Sequence, residues 1–174
     1  MKNLNIYILE KFKISKDIKP YNYHPKNRDD LIKLINTLIK ERGENANLND
    51  INTSNITDMS YLFKGINFNG NISSWDVSNV KDMCCMFSDS QFNGDISKWD
   101  VSNVTTMESM FYKSKFNQDI SSWDVSNVKN MAWMFKYSEF NKDISSWDVS
   151  NAEYMNVMFD GSPLEKNPPS WYHE

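Results

Sequence analysis

The chain of 174 residues holds only two histidines, two cysteines, five glycines and five prolines, and it lacks any long apolar run. Each scarcity removes a class of function. His24 and His173 stand in opposite terminal stretches, so no Ser/His/Asp or Cys/His grouping can be built around them. No pair of carboxylates stands in visibly different surroundings, as acid and base would require. Cys84 and Cys85 are adjacent, with no further Cys or His cluster to complete a zinc site. Neighbours in sequence bridge each other only under strain, so the two read as small apolar side chains on a helix. An enzyme is therefore not expected, nor a cofactor or a bound metal. The longest apolar stretch falls far below the roughly 18 residues of a membrane span. "MKNLNIYILEKFK" carries charge throughout and does not read as a signal peptide, so a cytoplasmic chain is expected. A basic surplus is missing too: the formal net charge is −4, which argues against a nucleic-acid partner.

What is present is a repeat. Trp75, Trp99, Trp123, Trp147 and Trp171 follow one another at intervals of 24 residues. Met59, Met83, Met107, Met131 and Met155 keep that interval, as do Phe63, Phe87, Phe111, Phe135 and Phe159. Asn55, Asn79, Asn103, Asn127 and Asn151 form another series, each preceded by Ser. The repeated part is acidic. Residues 51–174 hold nine Lys or Arg against sixteen acids, whereas residues 1–50 hold ten against seven.

A strict period in the range of 20 to 30 residues is the signature of a stacked repeat. In "FNGDISKWDVSNVTTMESMF", residues 92–111, Trp99 and Val101 alternate with Asp100 as in a short strand. "SN" then offers helix N-caps, and Val104, Met107, Met110 and Phe111 follow at spacings of three and four, as on a helix of about two turns. Phe92 and Ile96 close the unit around a turn at Asn93, a residue that tolerates a left-handed backbone, with Gly94 assisting. Neither element would hold alone in water. Ile96, Trp99, Val101, Val104, Met107, Met110, Phe111 and Phe116 are thus expected to be buried against copies of themselves.

The expected architecture is an α/β repeat solenoid: a right-handed, leucine-rich-repeat-like stack with a short parallel β-sheet on one side and short helices on the other, under an N-terminal helical cap. Residues 1–45 would form the capping segment, residues 46–162 the repeats, and residues 163–174 a C-terminal cap or tail. The spacing predicts a helix over 28–42, with Asn27 as cap, Asp29 and Asp30 at its positive end, Lys40 and Arg42 at its negative end, and Gly43 as stop. "LNIYIL" and "KFKIS" read as strand and loop pieces. Pro163, Pro168 and Pro169 end the stack.

The repeat resembles that of the BspA-like leucine-rich surface proteins, a type also abundant among mycoplasma lipoproteins, over roughly residues 46–160. That resemblance implies a right-handed solenoid with a parallel sheet, and a role in adhesion or in binding host or partner proteins, which would place the chain at the cell surface.

Two surfaces are candidates for binding. Asp76, Asp100, Asp124 and Asp148 recur once per unit and would stack into a ladder. Unit charges at about 5 Å repel by roughly 1–3 kcal/mol, so the ladder needs compensation. Backbone N–H groups in the following turn, a basic partner surface, or divalent cations could each supply it. The Asn series would cap helices or form an amide ladder, and Asp95, Asp119 and Asp143 would serve the return loop. The second surface lies where copies differ. One slot carries Tyr61, Cys85, Ser109, Trp133 and Val157; the loop after it carries Lys64, Ser88, Tyr112, Lys136 and Asp160, then Gly65, Asp89, Lys113, Tyr137 and Gly161. Tyr112, Trp133 and Tyr137 would form an aromatic patch, the residue class enriched at binding hot spots. The functional expectation is a monomeric protein-binding module, or an inhibitor of a partner with a basic surface; the alternative is a surface adhesin.

Overall fold

The computed structural model describes residues 21–173. "LNIYIL" and "KFKIS" lie outside the described residues. Among the described residues one α-helix, α1 (Arg28–Arg42), precedes the repeats. Asn27 is extended and its side chain accepts from the Asp30 N–H, while Gly43, at φ 86°, ends the helix by donating to the Ile39 carbonyl. Leu31, Ile35 and Leu38 are buried in the same core as the repeats. Arg28 Nε donates to the Ser60 carbonyl at 2.7 Å, and Arg42 forms two hydrogen bonds to Asp50, both 3.1 Å.

The repeats do not build the expected α/β solenoid. Among the described residues there is no β-strand, and the only other helix is a short 3-10 turn, Pro163–Lys166. The parallel sheet shrinks to isolated bridges, notably the column Asp58, Asp82, Thr106, Asn130 and Tyr154, each paired with the next. Each unit is instead a winding of tight turns. In the third unit Trp99 N–H donates to the Ile96 carbonyl (3.1 Å), Val104 to Val101 (2.9 Å), Met110 to Met107 (3.1 Å), Tyr112 to Ser109 (3.1 Å) and Ser114 to Phe111 (3.1 Å).

The reason lies in where the backbone N–H groups go. Met107, Ser109, Phe111 and Lys113 donate to the carbonyls of Asn130, Ala132, Met134 and Lys136 in the next winding, at 2.8–2.9 Å. A helix would have spent them four residues back. Ser109 and Lys113 also sit at φ 54°, and their counterparts in the other units at φ 54–69°, and a left-handed residue continues neither a helix nor a strand. The apolar spacing of three and four comes from consecutive turns that all point one corner inward. Asn93 and Gly94, the expected left-handed pair, are not among the positive-φ residues; that conformation falls on the slots of Cys85 and Asp89 instead.

The interior nevertheless holds the residues the period assigned to it. Ile96, Trp99, Val101, Val104, Met107, Met110, Phe111 and Phe116 are all buried. Two phenylalanine columns run through the stack: Phe63, Phe87, Phe111, Phe135 and Phe159 at 5.4–5.9 Å, and Phe68, Phe92, Phe116 and Phe140 at 6.1–6.3 Å between ring centroids. The tryptophans are the cross-ties. In the series spaced by 24 residues each indole N–H donates to a carbonyl in the preceding winding: Trp75 to Leu48 (2.9 Å), Trp99 to Ile72 (3.3 Å), Trp123 to Ile96 (3.2 Å), Trp147 to Ile120 (3.1 Å) and Trp171 to Ile144 (3.1 Å). A buried indole without such an acceptor would be penalised, so each winding satisfies the one after it.

Candidate functional site

The asparagines of the 24-residue series cap no helix. Asn79, Asn103, Asn127 and Asn151 donate from Nδ2 to the carbonyls of Ser54, Ser78, Ser102 and Ser126, one winding back, at 2.7–2.9 Å. The aspartate ladder is engaged as well. Asp76, Asp100 and Asp124 each accept from the N–H and hydroxyl of the serine two residues on, and Asp148 accepts from the Ser150 N–H at 3.0 Å. These bonds favour the charged form. The Ser126 hydroxyl and N–H hold Asp124 below the usual carboxylate range despite the like charge of Asp148, and Ser150 holds Asp148 below it too. Asp95, Asp119 and Asp143 accept in the same way from the N–H groups of Ser97, Ser121 and Ser145, each at 2.9 Å. Among the described residues no group of three or more His, Cys, Asp or Glu is placed to hold a metal ion.

The left-handed turns project the variable residues outward. Down that column the side chains run large, small, small, large: Tyr61, Cys85, Ser109, Trp133. The two small ones leave a trough of about 640 Å³, closed by Tyr61 at one end and Trp133 at the other, with Lys64, Tyr112 and Lys136 along its side. Tyr61 and Trp133 are each 43% exposed and Tyr137 50%. Tyr112 and Tyr137 meet edge to face at 6.1 Å. Tyr137 lies over Gly161, where a Cβ would come 2.1 Å from its ring, so that glycine gives the ring its seat.

Cations attend these rings. Lys64 Nζ lies 5.2 Å from the Tyr61 centroid, Lys113 Nζ 5.2 Å from Tyr112 and Lys136 Nζ 5.0 Å from Tyr137. Lys136 also pairs with Asp160 at 2.8 Å, whose hydrogen bond and charge raise the lysine's pKa. A family model described as "Mycoplasma protein of unknown function, DUF285" matches residues 33–135 and again residues 92–173. The chain belongs to this family. The two matches overlap within the repeats, as a periodic sequence allows when a model several units long is laid on it in two registers. No curated protein and no solved structure matches the chain.

In this DUF285 chain the predicted aromatic residues fall together: Tyr112 and Trp133 line the trough and Tyr137 stands beside Tyr112. Asp76, Asp100, Asp124 and Asp148 line none of it. Sequence reasoning passed over Tyr61, Lys64, Cys84 and Glu108 as site residues, although all four line the trough. The signal was available in the register. Tyr61 shares a slot with Trp133, Lys64 with Tyr112, and Cys84 with Glu108. Cys84 and Cys85 lie on no helix; they are the two half-buried corners of a turn.

Proposed function

We propose that this DUF285 chain is a non-catalytic protein-interaction module that takes its partner on the turn columns, in and beside the trough between Tyr61 and Trp133. The observation that carries the reading is the concentration of exposed aromatic rings there, on a backbone held by hydrogen bonds to the neighbouring windings. Rigid, exposed aromatics contribute binding area at little entropic cost. The aspartate ladder is the weaker candidate, because its carboxylates already accept from their own turns. Capture from the native host by the wild-type chain and by a Trp133→Ala/Tyr137→Ala variant tests this. The reading requires that a saturable partner be lost from the variant; retention of the same partner at the same affinity overturns it.

The family match supports a second reading, in which the module sits on a surface protein of the BspA-like type and acts as an adhesin or antigen. Protease treatment of intact cells separates the two. A surface protein is digested, whereas an intracellular binder survives until the cells are lysed.

A further inference from the structure

Cys84 and Cys85 bring two thiols into one opening of the trough. Successive side chains of an extended segment point to opposite faces. Here the pair occupies the two corners of the turn closed by Met86 N–H on the Met83 carbonyl at 3.2 Å, and Cys85 is left-handed at φ 54°. Both side chains therefore leave the same side of the winding. Their sulfurs lie 3.6 Å apart, both line the trough, and the Cys84 thiol donates to the Tyr61 hydroxyl at 3.9 Å. Two sulfurs bound at about 2.3 Å to one soft atom stand about 3.3–3.8 Å from each other, the shorter value for the pyramidal angles of trivalent arsenic and the longer for a tetrahedral centre. The pair is already set at the separation a single soft atom requires.

We propose that the Cys84–Cys85 dithiol is a binding site for a trivalent arsenic oxyacid, which both sulfurs chelate at the floor of the trough. Two features favour this ligand over zinc or a similar ion. No further His, Cys, Asp or Glu completes a metal site among the described residues, whereas trivalent arsenic is content with two sulfurs and one oxygen. Burial, with Cys85 beside it, also pushes the Cys84 thiol up to about 12, so at neutral pH it is protonated. A cation would have to displace that proton into water. Arsenous acid removes it as part of the reaction. One As(OH)₃ and two thiols give (RS)₂As–OH and two waters; two S–H and two As–O bonds break, two As–S and two O–H bonds form, and no electrons are transferred. The acid is uncharged at neutral pH, so Asp89 and Glu108, which also line the trough, do not repel it.

The full, reduced chain is titrated with sodium arsenite and followed by intact mass and by the number of thiols open to a thiol reagent. One arsenic per chain is expected, with both thiols lost together, and X-ray absorption should show two sulfurs and one oxygen around arsenic. Cys84→Ser and Cys85→Ser should each weaken binding by about 100-fold or more, since one sulfur forfeits the intramolecular second attachment. Both variants keep residues that the scaffold accepts, because Ser60 and Ser109 occupy the equivalent slots in neighbouring units. Binding that survives unchanged in either single variant, three sulfurs around arsenic, or two thiols still free at saturating arsenite would overturn the proposal. The outcome is independent of whether the trough also binds a protein.

Discussion

Trp123 and Trp171 occupy the same place in the repeat and make the same bond, an indole N–H to a carbonyl one winding back at 3.2 and 3.1 Å. Trp123 is 4% exposed, while Trp171 is only half-buried, because a further winding covers the first and the terminal tail alone attends the second. The backbone shows the same contrast. Met107, Ser109, Phe111 and Lys113 donate to the following winding, whereas in the last winding the Met155, Val157 and Phe159 N–H groups have no acceptor among the described residues. Gly161 N–H finds the Glu165 carboxylate at 3.1 Å. Equivalent positions of the repeat are therefore held unequally. The value of a unit depends on having a neighbour on each side, as expected where stability is a sum of interfaces.

The largest test of this contrast is truncation of a stacked ring. Phe111→Ala, between Phe87 and Phe135, should cost about 3–5 kcal/mol in denaturant unfolding, and Phe159→Ala, with a phenylalanine on one side only, distinctly less. Equal losses would break the comparison. Next comes the cross-tie. Trp123→Phe should lose about 0.5–1.5 kcal/mol, since it removes the cross-tie and leaves the Ile96 carbonyl with the Trp99 N–H alone, and Trp171→Phe should lose less. Equal midpoints for the two variants would mean that cover by a following winding is irrelevant.

A smaller gain is expected from Lys113→Gly. Lys113 is at φ 54°, a conformation that strains residues with a Cβ, so glycine there should stabilise the chain by about 0.5–1 kcal/mol. Glycine at Lys115, which is not among the positive-φ residues, should bring no such gain. The smallest effect is that of pH. Asp124 and Asp148 have folded pKa values below the ordinary 3.8, so their contribution is complete above that value and declines as pH falls through the lower folded values. Their contribution should leave the unfolding midpoint flat between about pH 5 and 7, and the midpoint should fall below about pH 4. Ser126→Ala removes the hydroxyl that is the chief cause for Asp124 and should move that decline to higher pH.

Much of the molecule was legible before any coordinates. The interval of 24 residues located the interior Phe, Met, Val and Trp columns, and the capping logic at Asn27 and Gly43 bounded α1. The aromatic patch followed from comparing slots across units. The trough did not, because a depression is made by small side chains, Cys85 and Ser109, and its depth depends on how the windings stack. The backbone of the repeat was misread. Val104, Met107, Met110 and Phe111 at spacings of three and four satisfy both a short helix and a series of turns with buried corners.

Periodicity by itself determined which side chains face inward, since burial depends on spacing and polarity, both written in the chain. Tertiary structure alone decided what the backbone does between them. The choice between a carbonyl four residues back and one 23 residues ahead depends on a neighbouring winding being present to receive the N–H. Once it is, residues such as Ser109 and Trp133 are held left-handed, and consecutive turns replace both helix and sheet.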